Sequence, residues 1–491
     1  LANAITTLGA GTIDTAANIF TLNGVIDGAG SISKVGSGTL VLAGNNSYAG
    51  GTSLNAGTIQ VNSNTALGAG GLVMANGTTL LAGVNSLALA NGITLNGTST
   101  VGTQGFTFTL NGVIGGTGTL AKTGTGTLVL NGANSYSGGT NLAAGTIRVG
   151  NNSALGTGSL AMAAGTILQA GAPTLSVGNA IAMAGGATVD VNGQVLTLGG
   201  VISGTGPLSV IDSQSIATDA LILTGVNTYT GGTVVTGTTV QVSQDANLGN
   251  AAGGITLVGG TLRTTASFST ARTVALGTGG GTVDVASGTT LTSTGVISGT
   301  SLTKIGAGTL ALNAANTYAG GTALNAGTIA VGNNAALGTG ALAMAGGTTL
   351  AAGANNLVLA NAVSTAGVGT VDTGTNTLTL GGVVSGAGSI AKAGTGTLVL
   401  NGANTYAGGT ALNAGTITVG NNAGLGTGAL TMAGGTTLAA GVTGLTVGNA
   451  ITTLGAATIN SGASPAVFTL SGVISGAGSV TKAGTGVLTL S

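Results

Sequence analysis

One passage occurs five times in this chain, and that repetition restricts the fold more than any other feature. Gly308, Thr309, Leu310, Ala311 and Leu312 are followed by Asn316, Thr317, Tyr318, Ala319, Gly320, Gly321 and Thr322. Gly396, Thr397, Leu398, Val399 and Leu400 are followed in the same way by Asn404, Thr405, Tyr406, Ala407, Gly408, Gly409 and Thr410. The passage also stands at 38–52, at 126–140 and, distorted, at 220–233. Self-similarity at a fixed period marks a stacked, quasi-one-dimensional protein. Such a chain builds length and surface, not a catalytic pocket.

A Gly-Val-Ile or Gly-Val-Val mark falls at Gly24, Gly112, Gly200, Gly295, Gly382 and Gly472, at spacings of 88, 88, 95, 87 and 90 residues. These marks divide a single continuous array into super-repeats 24–111, 112–199, 200–294, 295–381 and 382–471, with partial copies at 1–23 and 472–491. A shorter beat runs inside each: Gly-Thr steps at Gly308, Gly327, Gly347, Gly369 and Gly396 lie 19, 20, 22 and 27 residues apart. Each step is a short apolar–polar alternation closed by Gly or Asn, which reads as strand, turn, strand. Glycine, 99 of 491 residues, is too frequent for helix interiors, and Thr and Val favour strands. A beat of about 20 residues fits one coil of a parallel β-helix with four coils per super-repeat. Roughly 22 coils spaced about 4.8 Å apart would give a rod on the order of 100 Å long.

Phase follows from the rare long polar residues. Ile59-Gln60-Val61, Ile147-Arg148-Val149, Val189-Asp190-Val191 and Val283-Asp284-Val285 each set one between two β-branched residues. Side chains alternate faces along a strand. The β-branched pairs therefore point inward, and Gln60, Arg148, Asp190 and Asp284 point out. Asn-Asn pairs at 151–152, 333–334 and 421–422 fall where turns are needed, and Asn tolerates the left-handed conformation.

Charge is nearly absent. Eight Lys plus Arg balance eight Asp, there is no Glu, and net charge is zero. That leaves no basic footprint for nucleic acid or anionic lipid. Little charge suits a stack in which like residues lie over like, because like charges on adjacent strands repel. It also removes the repulsion that keeps proteins apart, so self-association or fibre bundling is expected. With only three Pro, the chain is no collagen; at 43% hydrophobic residues it is no ordinary disordered chain. No Cys is present, and no apolar run is long enough for a membrane-spanning helix. The chain opens on Asn3-Ala4-Ile5-Thr6-Thr7-Leu8-Gly9 and repeats that passage at Asn449–Gly455. Both ends lie mid-repeat, as expected of a piece of something longer.

Leu302-Thr303-Lys304-Ile305-Gly306-Ala307-Gly308-Thr309-Leu310, the Asn316–Thr322 passage and Gly327-Thr328-Ile329 together resemble the autotransporter-associated β-strand repeat, also called the passenger-associated transport repeat. The pattern recurs with Lys34 and Tyr48, Lys122 and Tyr136, and Lys392 and Tyr406, and Lys482 begins a further copy. The motif covers about a third of the chain. The resemblance implies a right-handed parallel β-helix. It further implies a passenger of Gram-negative type V secretion, displayed outside the outer membrane as an adhesin, autoaggregation factor or fibrous surface protein. The third copy departs from the pattern: Val210 replaces the Lys, and extra residues lie in 211–219, where a loop leaving the coil is expected.

Without His or Cys, no nucleophile pair of the Ser-His or Cys-His kind exists. Asp190, Asp284 and Asp372 are each about a period apart, four coils or roughly 19 Å, whereas paired catalytic carboxylates need about 5–9.5 Å. Asp14 with Asp27 and Asp212 with Asp219 are closer in sequence and fall in expected loops. These acids read as solvated surface groups, so no catalytic, metal or cofactor residue is assigned and the chain is not read as an enzyme. Calcium-roll repeats would need Asp far more often than once per period. Tyr48, Tyr136, Tyr229, Tyr318 and Tyr406 could offer a sugar-stacking column, but read as turn anchors covering the flank. The repeated Lys reads as a solvated turn residue, although Leu302-x-Lys304 nominally places it inward. An ice-binding face would need Thr-x-Thr on consecutive coils, and runs such as Thr123-x-Thr125-x-Thr127 come about once per period. The expected function is that of a structural and adhesive surface fibre segment. The alternative is a carbohydrate- or receptor-binding module on a β-helix stalk, using the loop of the third copy.

Overall fold

The structure, a computed structural model, describes residues 1–216 and 218–491. Among the described residues it is all-β: a β-solenoid of about 23 turns built from strands of two to five residues, with a single 3-10 turn at Asp245–Leu248 and no α-helix. Every recorded strand pairing is parallel and joins one turn to the next. Gly-Thr opens a recurring set of strands, Thr39–Leu42, Thr52–Leu54 and Thr58–Val61 among them, because Gly ends the preceding turn and β-branched Thr starts a pleat.

The chain forms two compact units, Leu1–Gln241 with Ala246–Gly253, and Val242–Asp245 with Gly254–Ser491. In the first, a ten-stranded sheet runs from Ile19–Leu22 to Ile202–Gly204 and a six-stranded sheet from Ala10–Asp14 to Ile114–Gly116. In the second, an eleven-stranded sheet runs from Phe268–Thr270 to Ile474–Gly476 and a seven-stranded one from Leu357–Leu359 to Val480–Ala483.

Register is what makes the core. Leu40, Ile59, Leu80 and Val101 pair in succession across four turns and are all fully buried. Burying each such side chain contributes about 1.5–3 kcal/mol. The outward neighbours Val41, Gln60 and Leu81 stack in their own column one residue along. The phase read from the sequence holds for Ile59, Val61, Ile147, Val149, Val189, Val191, Val283 and Val285, all inward, and for half-buried Gln60, Arg148 and Asp284. Asp190 differs. It lies on the outward column but is only 3% exposed, because the next turn and its loop cover it.

The period-marking glycine has a steric cause. A Cβ on Gly112 would sit 2.1 Å from the Asn91 carbonyl oxygen of the previous turn, and the other five marks meet a carbonyl at 2.0–2.3 Å. The Asn-Asn pairs do occupy turns, but none has a left-handed backbone. They act through side chains instead. Asn151, Asn333 and Asn421 accept from the N–H two residues on. Asn152, Asn334 and Asn422 accept from an N–H on the next turn, those of Ser176, Val358 and Thr446.

Candidate functional site: the buried polar layers and one irregular loop

The repeated passage builds one polar layer per period inside the aliphatic core. Its first element is an asparagine. Asn46, Asn134, Asn227, Asn316 and Asn404 are 2–4% exposed. Each Oδ1 accepts, at 2.7–2.8 Å, from the N–H of Ile26, Ile114, Ile202, Ile297 or Val384 on the preceding turn. Each Nδ2 donates, at 2.6–2.7 Å, to a carbonyl on the following turn, that of Ala66, Ala154, Asn247, Ala336 or Gly424. The side-chain amide thus stands in for a peptide group and carries the ladder through a stretch with no strand.

The second element is the tyrosine. All five rings are fully buried, and each hydroxyl lies 2.5–2.6 Å from the hydroxyl of Thr52, Thr140, Thr233, Thr322 or Thr410. Thr52, Thr140 and Thr410 in turn donate to the carbonyls of Leu67, Leu155 and Leu425 on the next turn. Gly68, with φ of +65°, closes over Tyr48; a Cβ there would lie 2.9 Å from the ring. The flank-covering reading is therefore corrected: the tyrosines anchor turns, but from within. A buried ring also offers no sugar-stacking platform.

The third element is the lysine. Lys34, Lys122, Lys304 and Lys392 are 0% exposed, so the solvated-turn reading is wrong for these four. Lys122 sits in an inward column between Val101 and Leu142. Its Nζ donates to the carbonyls of Thr123 at 3.1 Å, Gly124 at 2.6 Å and Ala144 at 2.9 Å. The other three make the equivalent set of three bonds. A positive φ at Gly36, Gly124, Gly306 and Gly394 lets the tight turn point its carbonyls inward, where they solvate the ammonium as water would.

Burial pulls the Lys122, Lys304 and Lys392 ammonium groups down to about 8 and lowers Lys34. Asp14, Asp284 and Asp372, one residue beyond the register partners of Lys34, Lys304 and Lys392, act in the opposite direction. Lys122 has Gly102 at that place and no such acid. Burial pushes Tyr48, Tyr318 and Tyr406 up to about 12 and raises Tyr136.

The third copy rebuilds its layer. Val210, fully buried, fills the lysine column between Val189 and Val235. Asp219 and Thr238 are 5% and 4% exposed and joined by a 2.6 Å hydrogen bond from the threonine hydroxyl. The chain then leaves the ladder between Leu208–Ile211 and Ala220–Leu223, as the sequence suggested. Ser213, Gln214, Ser215, Ile216 and Thr218 are exposed, and Ala217 lies outside the described residues. Carboxylates hold this loop. Asp212 accepts from the N–H groups of Gly193, Gln214 and Ile216. Asp190 accepts from those of Asn192 and Ser213 and from the Gln169 amide, which itself accepts from Arg148.

Apart from Asp27, the acids are thus structural groups. Asp190 and Asp219 are buried rather than solvated, and Asp14 and Asp27 lie in the strands Ala10–Asp14 and Ile26–Asp27 rather than in loops. No group of three potential metal ligands comes together among the described residues. On the second unit a shallow open groove of about 390 Å³ is lined by small side chains, Ala343, Ala345, Ser364 and Thr365 among them. No described helix is long and apolar enough to cross a membrane.

Comparison with known proteins places the family on these layers. The model of the Passenger-associated-transport-repeat matches residues 32–61, 120–149, 218–242, 302–331 and 390–419. Four matches run from the buried lysine strand through the Asn, Tyr and Thr of one layer. The third begins within the irregular loop and omits Val210. Over 262 residues the chain is 29% identical to the adhesin BmaC autotransporter of Brucella suis biovar 1 (strain 1330), a match taking in 46% of this chain and 7% of that protein. No solved structure matches the chain.

The two buried titrating groups give stability a maximum in alkali. A lysine whose folded value lies below its ordinary 10.5 loses its proton first in the folded state, so raising pH from about 8 favours the fold. A tyrosine raised above its ordinary 10.0 contributes stability that is whole below about 10 and is lost as pH climbs towards 12. Urea midpoints should therefore rise from about pH 8 to about pH 10 and fall above it. In Lys122→Met the rise should shrink. A midpoint that falls steadily from pH 8 would contradict the buried-ammonium assignment.

Proposed function

We propose that this chain, which carries five matches to the passenger-associated transport repeat, is a stretch of a secreted autotransporter passenger, displayed on a Gram-negative cell as a structural and adhesive surface fibre. The observation that carries this reading is the direction of the motif. In all five copies the repeated Asn and Tyr, and in four of them the Lys, face the core. The repeat therefore encodes how the chain stacks, and its Lys, Asn and Tyr are committed to the core. The likeness to an autotransporter adhesin supports adhesion in place of catalysis. A nearly uncharged exterior supports lateral association of copies.

The mechanism is geometric. A finished turn offers its N–H and C=O groups to the next, so each turn templates its successor. Folding outside the cell would then draw the chain outward, with each polar layer closing as its turn docks. In the full parent protein, Asn316→Ala with Tyr318→Ala removes one layer; stranding the Ile297 N–H and Ala336 C=O costs about 1–3 kcal/mol each. Antibody labelling of intact cells should fall several-fold for this variant and stay unchanged for the outward Thr328→Ala. Equal display of both would defeat the reading.

A second reading rests on the pinned loop. Three carboxylates fix a segment whose Ser213, Gln214, Ser215 and Ile216 stand exposed, which suits a receptor or glycan contact carried on the solenoid. Removing 213–218 while keeping Asp212 and Asp219 separates the two readings. Lost cell adhesion with undiminished display favours the loop as the contact; retained adhesion assigns it to the repeated faces.

A further inference from the structure

Near-identity of the copies creates a hazard. A turn displaced by one whole period, or borrowed from a neighbouring chain, meets almost the same backbone donors, the same aliphatic column and the same layer residues. Hydrogen bonding and burial hardly distinguish the correct stack from such a slipped one. Only groups that differ between periods can.

One pair of positions differs in a coupled way. Asn91, Asn179, Asn361 and Asn449 stand just below the period marks, and each Nδ2 donates to two carbonyls one turn back: Gly68 and Gly70, Gly156 and Gly158, Gly338 and Gly340, Gly426 and Gly428. In the remaining period the same place holds Arg272, 2% exposed. The residue one turn earlier is Asn64, Asn152, Asn334 or Asn422 in four periods, each accepting from the next turn. In this period it is Asp245. Arg272 Nε donates to Asp245 Oδ1 at 2.9 Å, and Nη2 donates to Oδ2 and to the Asp245 carbonyl, both at 3.1 Å. An ion pair has replaced two asparagines together.

We propose that Arg272 and Asp245 form a register key. In a stack slipped by one period Arg272 faces an asparagine and Asp245 loses its cation, so a buried charge is left without its counter-charge. Breaking such a pair is heavily penalised even where making it adds little net stability. Setting register and excluding alternative pairings is the best-attested use of buried polar groups. The key thus differs from the Asn–Tyr–Lys layers: they recur from period to period, whereas it distinguishes one turn from its copies.

The test uses the absence of native Cys. Thr256 and Ala275 are register partners on adjacent turns with outward side chains, at a separation that suits a disulfide. The intact chain carrying Thr256→Cys and Ala275→Cys is refolded from denaturant at low concentration, oxidised, and resolved without reductant. The chain with the ion pair should give the intrachain link almost alone. Adding Asp245→Asn and Arg272→Asn, the residues of the other four periods, should leave strand content by circular dichroism unchanged. The intrachain link should fall several-fold, in favour of cross-linked oligomers and free thiol. An unchanged intrachain yield overturns the proposal. So does failure of the asparagine variant to fold, since four other periods accommodate that pair, and so does scrambled linkage in the chain with the ion pair intact.

Discussion

Everything in this protein depends on the hydrogen-bond ladder between one turn and the next. A strand of three or four residues has no stability alone; its donors and acceptors are satisfied only when a similar strand lies above and below. This makes every residue answerable to those about 20 positions before and after it. Columns of Leu, Ile and Val inside, and of Thr, Ala and Ser outside, follow directly. So does the scarcity of charge, since a charge repeated at each turn would stack against itself.

The ladder has a weak point where the chain rounds a turn and its backbone no longer runs as a strand. The polar layer answers it. The asparagine amide substitutes for a peptide group and links three turns. The Tyr–Thr–carbonyl relay joins turn to strand across the core. The lysine ammonium gathers three carbonyls; that of Thr123 also accepts from the Thr103 N–H, whereas those of Gly124 and Ala144 are held by Lys122, and leaving such a buried acceptor unmet costs about 1–3 kcal/mol. Placing these groups inside leaves the outer faces uncommitted, which suits the proposed role in adhesion.

Much of this was legible in the sequence, for identifiable reasons. Strand phase could be read from Ile59-Gln60-Val61 because alternation is a two-residue rule and Gln is costly to bury. The loop of the third copy could be read because Val210 and the inserted residues break an otherwise repeated pattern. The lysines were misjudged because charge argued for solvent while Leu302-x-Lys304 argued for the core. The deciding feature, a turn whose positive-φ glycine points carbonyls inward at Gly36, Gly124, Gly306 and Gly394, is a property of three dimensions. Asp190 was misjudged for a related reason: its cover comes from Gln169 and Ser213, both about a turn away. The Arg272–Asp245 pair spans 27 residues and carries no local signal; only alignment of the periods, with Asn at both places in the other four, could have exposed it.

The claim that the repeated motif faces inward is open to a direct measurement. Of the five lysines in the chain, four lie fully buried in carbonyl cages and Lys482 is exposed. Brief reductive methylation of the folded protein, followed by peptide mass spectrometry, should modify Lys482 and the terminal amine while leaving Lys34, Lys122, Lys304 and Lys392 untouched until denaturant is added. Modification of those four at the rate of Lys482 in the native protein would contradict the account.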